Sequence, residues 1–349
     1  MTTGASTVRI RPTLTAAREP ADGTHYLPDD PRDLLVADPS RRQAVAFASA
    51  GLTLAGHLYR PPGAARSART PGIVMAGPFS SVKEQTLPHY AERFADAGYT
   101  VLTFDSRSLG ESEGTPRGHY DPGEVIADYC NAVSYMLTRD DVDPDRVAVV
   151  GVCMGGGFAV STAARDKRVK AAVSVAGGYN IGGTFQMYLG AEGFAAYYRK
   201  VNDLVMTQYR TGQVQYVPTI ALELSGDVPV AAMPNAEAYA YYDRTSRDHA
   251  PNWSRTLTAA SLEPYFIYNA VVHAPLVAPT PLLIVHGTTD LVLLPEYAQQ
   301  VYDAATGPKE LVWIDTHNHI ELYDQEPYVS QACAHILRWL QTHVGAGGS

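Results

Sequence analysis

Short apolar runs alternate with amphipathic helical stretches through most of this chain, and that rhythm constrains the fold more than any other feature. G-I-V-M-A (72–76), T-V-L-T-F-D (100–105), D-R-V-A-V-V-G-V (145–152), V-K-A-A-V-S-V-A (169–176), P-L-L-I-V-H (281–286) and E-L-V-W-I-D (310–315) have the length and composition of buried strands. Between and after them, the spacing predicts helices over 88–97, 121–138, 154–165, about 295–305 and about 326–343. Val125, Ile126, Tyr129, Val133 and Leu137 form one stripe of the second. Strands that alternate with helices require right-handed crossovers, hence a mostly parallel sheet with helices on both faces. An antiparallel pair, A-V-A-F-A-S and L-T-L-A-G-H-L-Y-R with a turn at Ala50-Gly51, leads into it.

Residues 178–278 break the rhythm. They carry 11 of the chain's 22 tyrosines, together with Phe185, Phe194, Trp253 and Phe266. This stretch reads as a largely helical cap inserted between sheet strands, where ligands of open α/β sheets bind. The expected organisation is therefore an extended arm over 1–40, a core of 41–177 and 279–345, and a cap over 178–278.

Composition narrows the function. A net charge of −9 and the lack of a Lys/Arg stripe exclude nucleic acid as the main partner. No apolar run approaches the roughly 20 residues of a membrane span. The N-terminal M-T-T-G-A-S-T-V-R-I-R-P has no apolar signal core. Cys130, Cys153 and Cys333 show no C-x-x-C spacing, which argues against a disulfide framework or a structural zinc site. A cytoplasmic protein is expected, with no cofactor and no metal.

G-V-C-M-G (151–155) carries the chemistry. It follows a buried strand and opens a helix, the context required of a nucleophile elbow. The turn is tight enough to need glycines, and it sets Cys153 at a helix N-terminus, whose partial positive charge favours a thiolate. The competing reading is a small buried Cys among packing glycines. The order of the later residues decides between them. T-T-D sets Asp290 just past the carboxyl end of P-L-L-I-V-H-G, and T-H-N-H sets His317 and His319 past E-L-V-W-I-D. Nucleophile, acid and His thus follow in the chain order of a hydrolase triad. His319 is preferred over His317, and Asp315 is the weaker acid. His57 and His286 read as structural.

An acyl-transfer reaction also needs an oxyanion hole. The N–H of Met154, after the nucleophile, is one expected donor. In the loop A-G-P-F-S-S-V-K-E-Q, Pro78 has no N–H, so Phe79 is the other, with Ser80 next. Lys83 and Glu84 read as a solvated or structural ion pair, and Asp105 and Arg107 as parts of a fixed turn.

The stretches S-V-K-E-Q-T, F-D-S-R-S-L-G-E-S-E-G-T-P-R, V-G-V-C-M-G-G-G, D-K-R-V-K-A and H-I-E-L-Y-D with P-Y-V span about residues 70–345. In these the chain resembles the α/β-hydrolase superfamily near dienelactone hydrolases, and in particular the bacterial hydrolases related to fungal polyketide transferases. That resemblance implies an α/β-hydrolase fold and acyl chemistry without a cofactor, with Cys153 as nucleophile and His319 as base. The cap matches least well.

The expected reaction is attack of the Cys153 thiolate on an ester, lactone or thioester carbonyl, with an acyl-thioenzyme intermediate. Water as the second nucleophile gives a hydrolase; a hydroxyl, amine or carbanion gives a natural-product acyltransferase or cyclase. The expected partner is a small-molecule acyl substrate, free or carrier-bound as a thioester, with a homodimer as a candidate assembly. The alternative of another class is a non-catalytic binding protein on a hydrolase scaffold.

Overall fold

The structure is a computed structural model, and it describes residues 26–65, 68–224 and 229–345. Strands β1 (Arg42–Ser49) and β2 (Leu52–Tyr59) pair antiparallel across the turn at Ala50 and Gly51. β2 pairs antiparallel with β4 (Thr100–Phe104), which lies parallel to β3 (Thr70–Ala76). From there β5 (Val142–Val152) and β6 (Ala171–Val175) extend the sheet in parallel. Four two- or three-residue strands follow in the inserted region: β7 (Tyr216–Pro218), β8 (Ile220–Ala221), β9 (Met233–Pro234) and β10 (Thr256–Thr258). They pair as β7 with β10 and β8 with β9. The main sheet resumes with β11 (Leu282–Gly287) and β12 (Lys309–Ile314), giving eight strands in the order β1-β2-β4-β3-β5-β6-β11-β12. The mostly parallel sheet is the one expected from the strand–helix rhythm, and the architecture is the α/β-hydrolase fold that the resemblance implies.

The strands form where the apolar runs fall, because a strand covered on both faces needs apolar residues at consecutive positions. Ile73, Val74, Val149, Val150, Leu283 and Ile284 are all fully buried. β5 begins three residues earlier than its apolar run. Val142 already pairs with Thr70, and a register shift before Gly72 accommodates the polar D-P-D-R stretch.

Helices α1 (Leu87–Asp96), α2 (Pro122–Leu137) and α3 (Met154–Arg165) cover the first half of the sheet. α2 starts where the sequence signals it. The Asp121 carboxylate accepts the N–H groups of Gly123 and Glu124, and Pro122 occupies the first turn, where its missing N–H costs nothing. The inserted region holds α4 (Ile181–Thr211), α5 (Ala236–Asp248) and α6 (Leu262–Ile267). α4 kinks at Gly190, whose φ is 68°. α7 (Pro295–Ala304), the single turn α8 (Glu321–Asp324) and α9 (Tyr328–Val344) complete the second half.

Of the N-terminal arm and the C-terminal G-A-G-G-S, residues 1–25 and 346–349 lie outside the described residues. Residues 26–40 run along the core: Leu34 bridges Gln325, and the Gln325 side chain donates to the Tyr26 carbonyl at 2.8 Å. Among the described residues no helix is long and apolar enough to cross a membrane.

Candidate active site

Cys153 sits between β5 and α3 with φ 58° and ψ −124°, a backbone conformation that a side-chain-bearing residue adopts only under strain. The turn is held from several sides. The Cys153 N–H donates to the Val175 carbonyl at 2.9 Å, and the Cys153 carbonyl accepts from Gly156 and Gly178. The flanking glycines are required by close approach. A Cβ on Gly151 would stand 1.8 Å from the Gly155 carbonyl oxygen, and one on Gly155 would stand 2.0 Å from that of Ala76. Met154 is the first residue of α3, so its N–H has no acceptor within the helix.

The loop after β11 supplies Asp290. One carboxylate oxygen accepts the N–H groups of Val292 and Leu293 at 2.9 and 2.7 Å, which fixes its orientation. The other faces Nδ1 of His319 at 2.6 Å, from the loop after β12. All three groups are nearly buried, Cys153 at 5% exposure, Asp290 at 3% and His319 at 2%. Burial alone would push the His319 imidazole down. The Asp290 carboxylate and the adjoining Cys153 side chain outweigh it and hold the imidazole's pKa well above the usual histidine range. Nδ1 donates to Asp290, so in the neutral ring Nε2 is the basic nitrogen.

Nε2 meets the hydroxyl of Tyr323 at 2.9 Å, and Tyr323 lines one cavity with Cys153 and His319. Sequence reasoning missed Tyr323, although its signal was present. It lies four residues after His319, near enough along the chain for its ring to turn back on the imidazole, although α8 begins only at Glu321. Glu237 was also missed. From α5 its carboxylate accepts the backbone N–H of His319 at 2.9 Å, tying the inserted region to the loop that carries the imidazole.

The other candidates fall elsewhere. The His317 side chain is 79% exposed and pairs with Glu321. Asp315 accepts only from the Thr288 hydroxyl among the described contacts. His286 is buried behind the site, donating from Nε2 to the Leu293 carbonyl at 2.9 Å, with Asp290 at 3.5 Å. His57 faces Glu84. Lys83 is a buried hub: its ammonium lies 2.9 Å from Asp105, 2.9 Å from Glu84 and 2.6 Å from Glu111. Asp105 also accepts the N–H groups of Lys83 and Glu111, which locks the two loops together. Arg107 is held by the buried Asp128 at 2.6 Å. Among the described residues no group of three His, Cys, Asp or Glu side chains could hold a metal ion.

Cys153 and His319 open into a cavity of about 460 Å³, within the range of small-molecule sites. Phe79, Ile181, Phe185, Leu224, Met233 and Tyr265 form much of its wall, and no Lys or Arg of the described residues lines it. Phe79 packs against Tyr265 and Tyr120, with ring centroids 4.1 and 4.7 Å apart, and its carbonyl accepts the Tyr242 hydroxyl at 2.7 Å. On the outer side, the Tyr188 hydroxyl of α4 donates to the Leu291 carbonyl and bridges the inserted region to the loop after β11.

Known proteins share this framework. The chain is 31% identical to the protein PA2218 of Pseudomonas aeruginosa over 296 residues, covering 80% of this chain and 76% of that one. The crystal structure of PA2218 superposes with a TM-score of 0.75 at 28% identity, over 91% of this chain and 98% of that one. Thiohydrolase aneE of Aspergillus aculeatus is 30% identical over 77% of this chain and 83% of its own. Polyketide transferase claH of Penicillium crustosum is 27% identical over 80% and 90%. The α/β hydrolase GrgF of Penicillium sp. sh18 superposes with a TM-score of 0.74 at 24% identity, over 87% of this chain and 99% of that one, and shows the shared fold. The family and these relatives support an enzyme of hydrolase or acyltransferase type. Because residues 50–321 match the family described as X-Pro dipeptidyl-peptidase (S15 family), from ahead of β2 to the loop that carries His319, the chain belongs to that family.

Proposed function

We propose that this protein is an acyl-transfer enzyme in which Cys153 is the nucleophile, His319 the base and Asp290 the residue that orients and stabilises the imidazole. The observation that carries this reading is one juxtaposition. Asp290 lies 2.6 Å from Nδ1 of His319, and the imidazole lines one cavity with Cys153, which stands on a strained elbow. In this reading the thiolate attacks the acyl carbonyl. The N–H groups of Met154 and Phe79 receive the oxyanion, and His319 protonates the leaving group. Residues 178–278 act as the cap that encloses the acyl chain.

An apolar cavity without a cationic side chain favours uncharged acyl groups over substrates that carry a free carboxylate or phosphate. The names thiohydrolase and polyketide transferase among the relatives favour natural-product acyl thioesters, free or carrier-bound. An acyl-cysteine is itself a thioester and stays reactive toward hydroxyl, amine and carbon nucleophiles, so both hydrolysis and transfer are open to it.

Selective alkylation tests the role of Cys153. Burial raises the pKa of Cys130, and it pushes Cys333 up to about 12, so neither is a ready nucleophile at neutral pH. One equivalent of iodoacetamide at pH 7 is expected to label Cys153 first and to abolish turnover in step with labelling. Full labelling of Cys153 with activity retained would overturn the nucleophile assignment, and labelling of Cys130 and Cys333 at the same rate with no turnover of any acyl substrate would favour the non-catalytic binding protein instead.

A further inference from the structure

The hydroxyl of Tyr323 stands where a hydrolase would need a water molecule. After acylation the second nucleophile must give its proton to Nε2 of His319. That nitrogen already has a partner, Tyr323 Oη at 2.9 Å, and the ring is held edge-on against His319 at 5.0 Å and against Tyr241 at 4.8 Å between centroids. Tyr323 also lines the cavity and is buried, with 3% exposure. Cys153 and His319 line the same cavity. The phenol thus sits on the nitrogen that must accept the proton, with the thiol close by.

We propose that Tyr323 is a catalytic residue whose hydroxyl relays the proton between Cys153, or the incoming acceptor, and Nε2 of His319, and whose position on Nε2 favours transfer to a hydroxyl or amine acceptor over transfer to water. This rests on the Cys153 reading above. Ahead of acylation the S–H bond breaks as an O–H bond forms on Tyr323, which leaves the thiolate beside the imidazolium that Asp290 stabilises. The original Tyr323 O–H bond breaks as an N–H bond forms on Nε2, and the phenol ends unchanged. The electron pair left on sulfur forms the C–S bond to the acyl carbon, and the leaving group departs with the proton from Nε2. In the second half the acceptor's O–H or N–H proton takes the same path and its electron pair forms the new acyl bond. The C–S bond then breaks, and the thiolate recovers its proton from His319 through Tyr323.

A relay must remain protonated between turnovers, and burial together with the nearby Cys153 raises the pKa of Tyr323 well above that of free tyrosine. The ionisable groups against it are Cys153, His319, Tyr241 and Tyr242, with Asp290, His286 and Glu237 around the imidazole. The phenol already occupies Nε2, so a nucleophile that binds there directly must compete with it. A larger acceptor, held by the cavity wall, can dock its hydroxyl on Oη instead.

The test uses an octanoyl thioester of N-acetylcysteamine with 1-butanol as acceptor. Pre-steady-state acylation and the ratio of butyl ester to free acid are measured for the full-length protein and for Tyr323→Phe. Loss of the relay is expected to slow acylation roughly 100-fold and to shift the products toward free acid, because the vacated space admits water. Unchanged acylation and an unchanged product ratio would overturn the proposal. Should Tyr323→Phe fail to fold, the wild type still decides. A rate in mixed H2O and D2O that varies as the square of the deuterium fraction indicates two protons in flight, and a linear dependence contradicts the relay. Cys153→Ala separates the two claims. If it stays active the nucleophile assignment fails; if it is inactive while Tyr323→Phe matches wild type, only the relay fails.

Discussion

Asp290→Asn is expected to reduce kcat/KM for an acyl thioester by roughly 10⁴-fold while leaving the fold intact. The two oxygens of Asp290 have separate duties. Oδ1 accepts from Val292 and Leu293, and an asparagine carbonyl can keep both bonds. Oδ2 takes the proton on Nδ1 of His319, and an amide NH2 placed there would present a donor to a donor. The imidazole would relieve this by moving its proton to Nε2. It could then no longer accept from Cys153 or Tyr323, and the carboxylate charge that stabilises the imidazolium would be gone. A steady-state assay paired with a thermal melt checks this. A loss below about tenfold, or a loss of activity that only follows a loss of folding, would contradict the assignment of Asp290.

Lys83→Met carries the largest expected stability effect, a loss of roughly 3–5 kcal/mol. Lys83 and Asp105 are both essentially inaccessible, at 1% and 0% exposure, and the ammonium is the cation that balances the buried carboxylate. Without it, Asp105 keeps only the N–H groups of residues 83 and 111. Burial already raises the pKa of Asp105 in the wild type against the pull of Lys83, and removing that pull raises it further. A carboxyl whose folded pKa lies above its unfolded value opposes folding above that folded pKa, and the penalty fades as pH falls through it. Urea denaturation should therefore show the largest deficit for Lys83→Met at neutral pH and a smaller one near pH 5. Equal deficits at both pH values would mean that Asp105 does not carry the charge. The loop that Lys83 anchors includes Phe79, so kcat should fall as well.

The sheet and the juxtaposition of Cys153, Asp290 and His319 were legible for the same reason. A strand buried on both faces must be apolar throughout, and active groups of such sheets sit just past strand ends, so Cys153, Asp290 and His319 could be found by counting from apolar runs. The polar start of β5 was hidden because Asp143, Pro144 and Asp145 carry no strand pattern; pairing with β3 sets it. In the inserted region, strands of two or three residues leave no periodicity to read. Glu237 reaches His319 across 82 residues of chain, a contact that only the docking of α5 creates. Lys83 looked like the partner of its neighbour Glu84, yet its ammonium also meets Asp105 and Glu111, brought to it by the crossover after β4. Tyr323 could have been read from its spacing to His319, but a four-residue helix gives little pattern on either side.

Intact-mass spectrometry of the protein mixed rapidly with an octanoyl thioester tests the central claim most directly. The account predicts a single acyl adduct on the wild type, mapped by peptide digestion to Cys153, that forms and decays at rates consistent with turnover and is absent from Cys153→Ala. Turnover that persists in Cys153→Ala, or an adduct that maps to another residue, would contradict it.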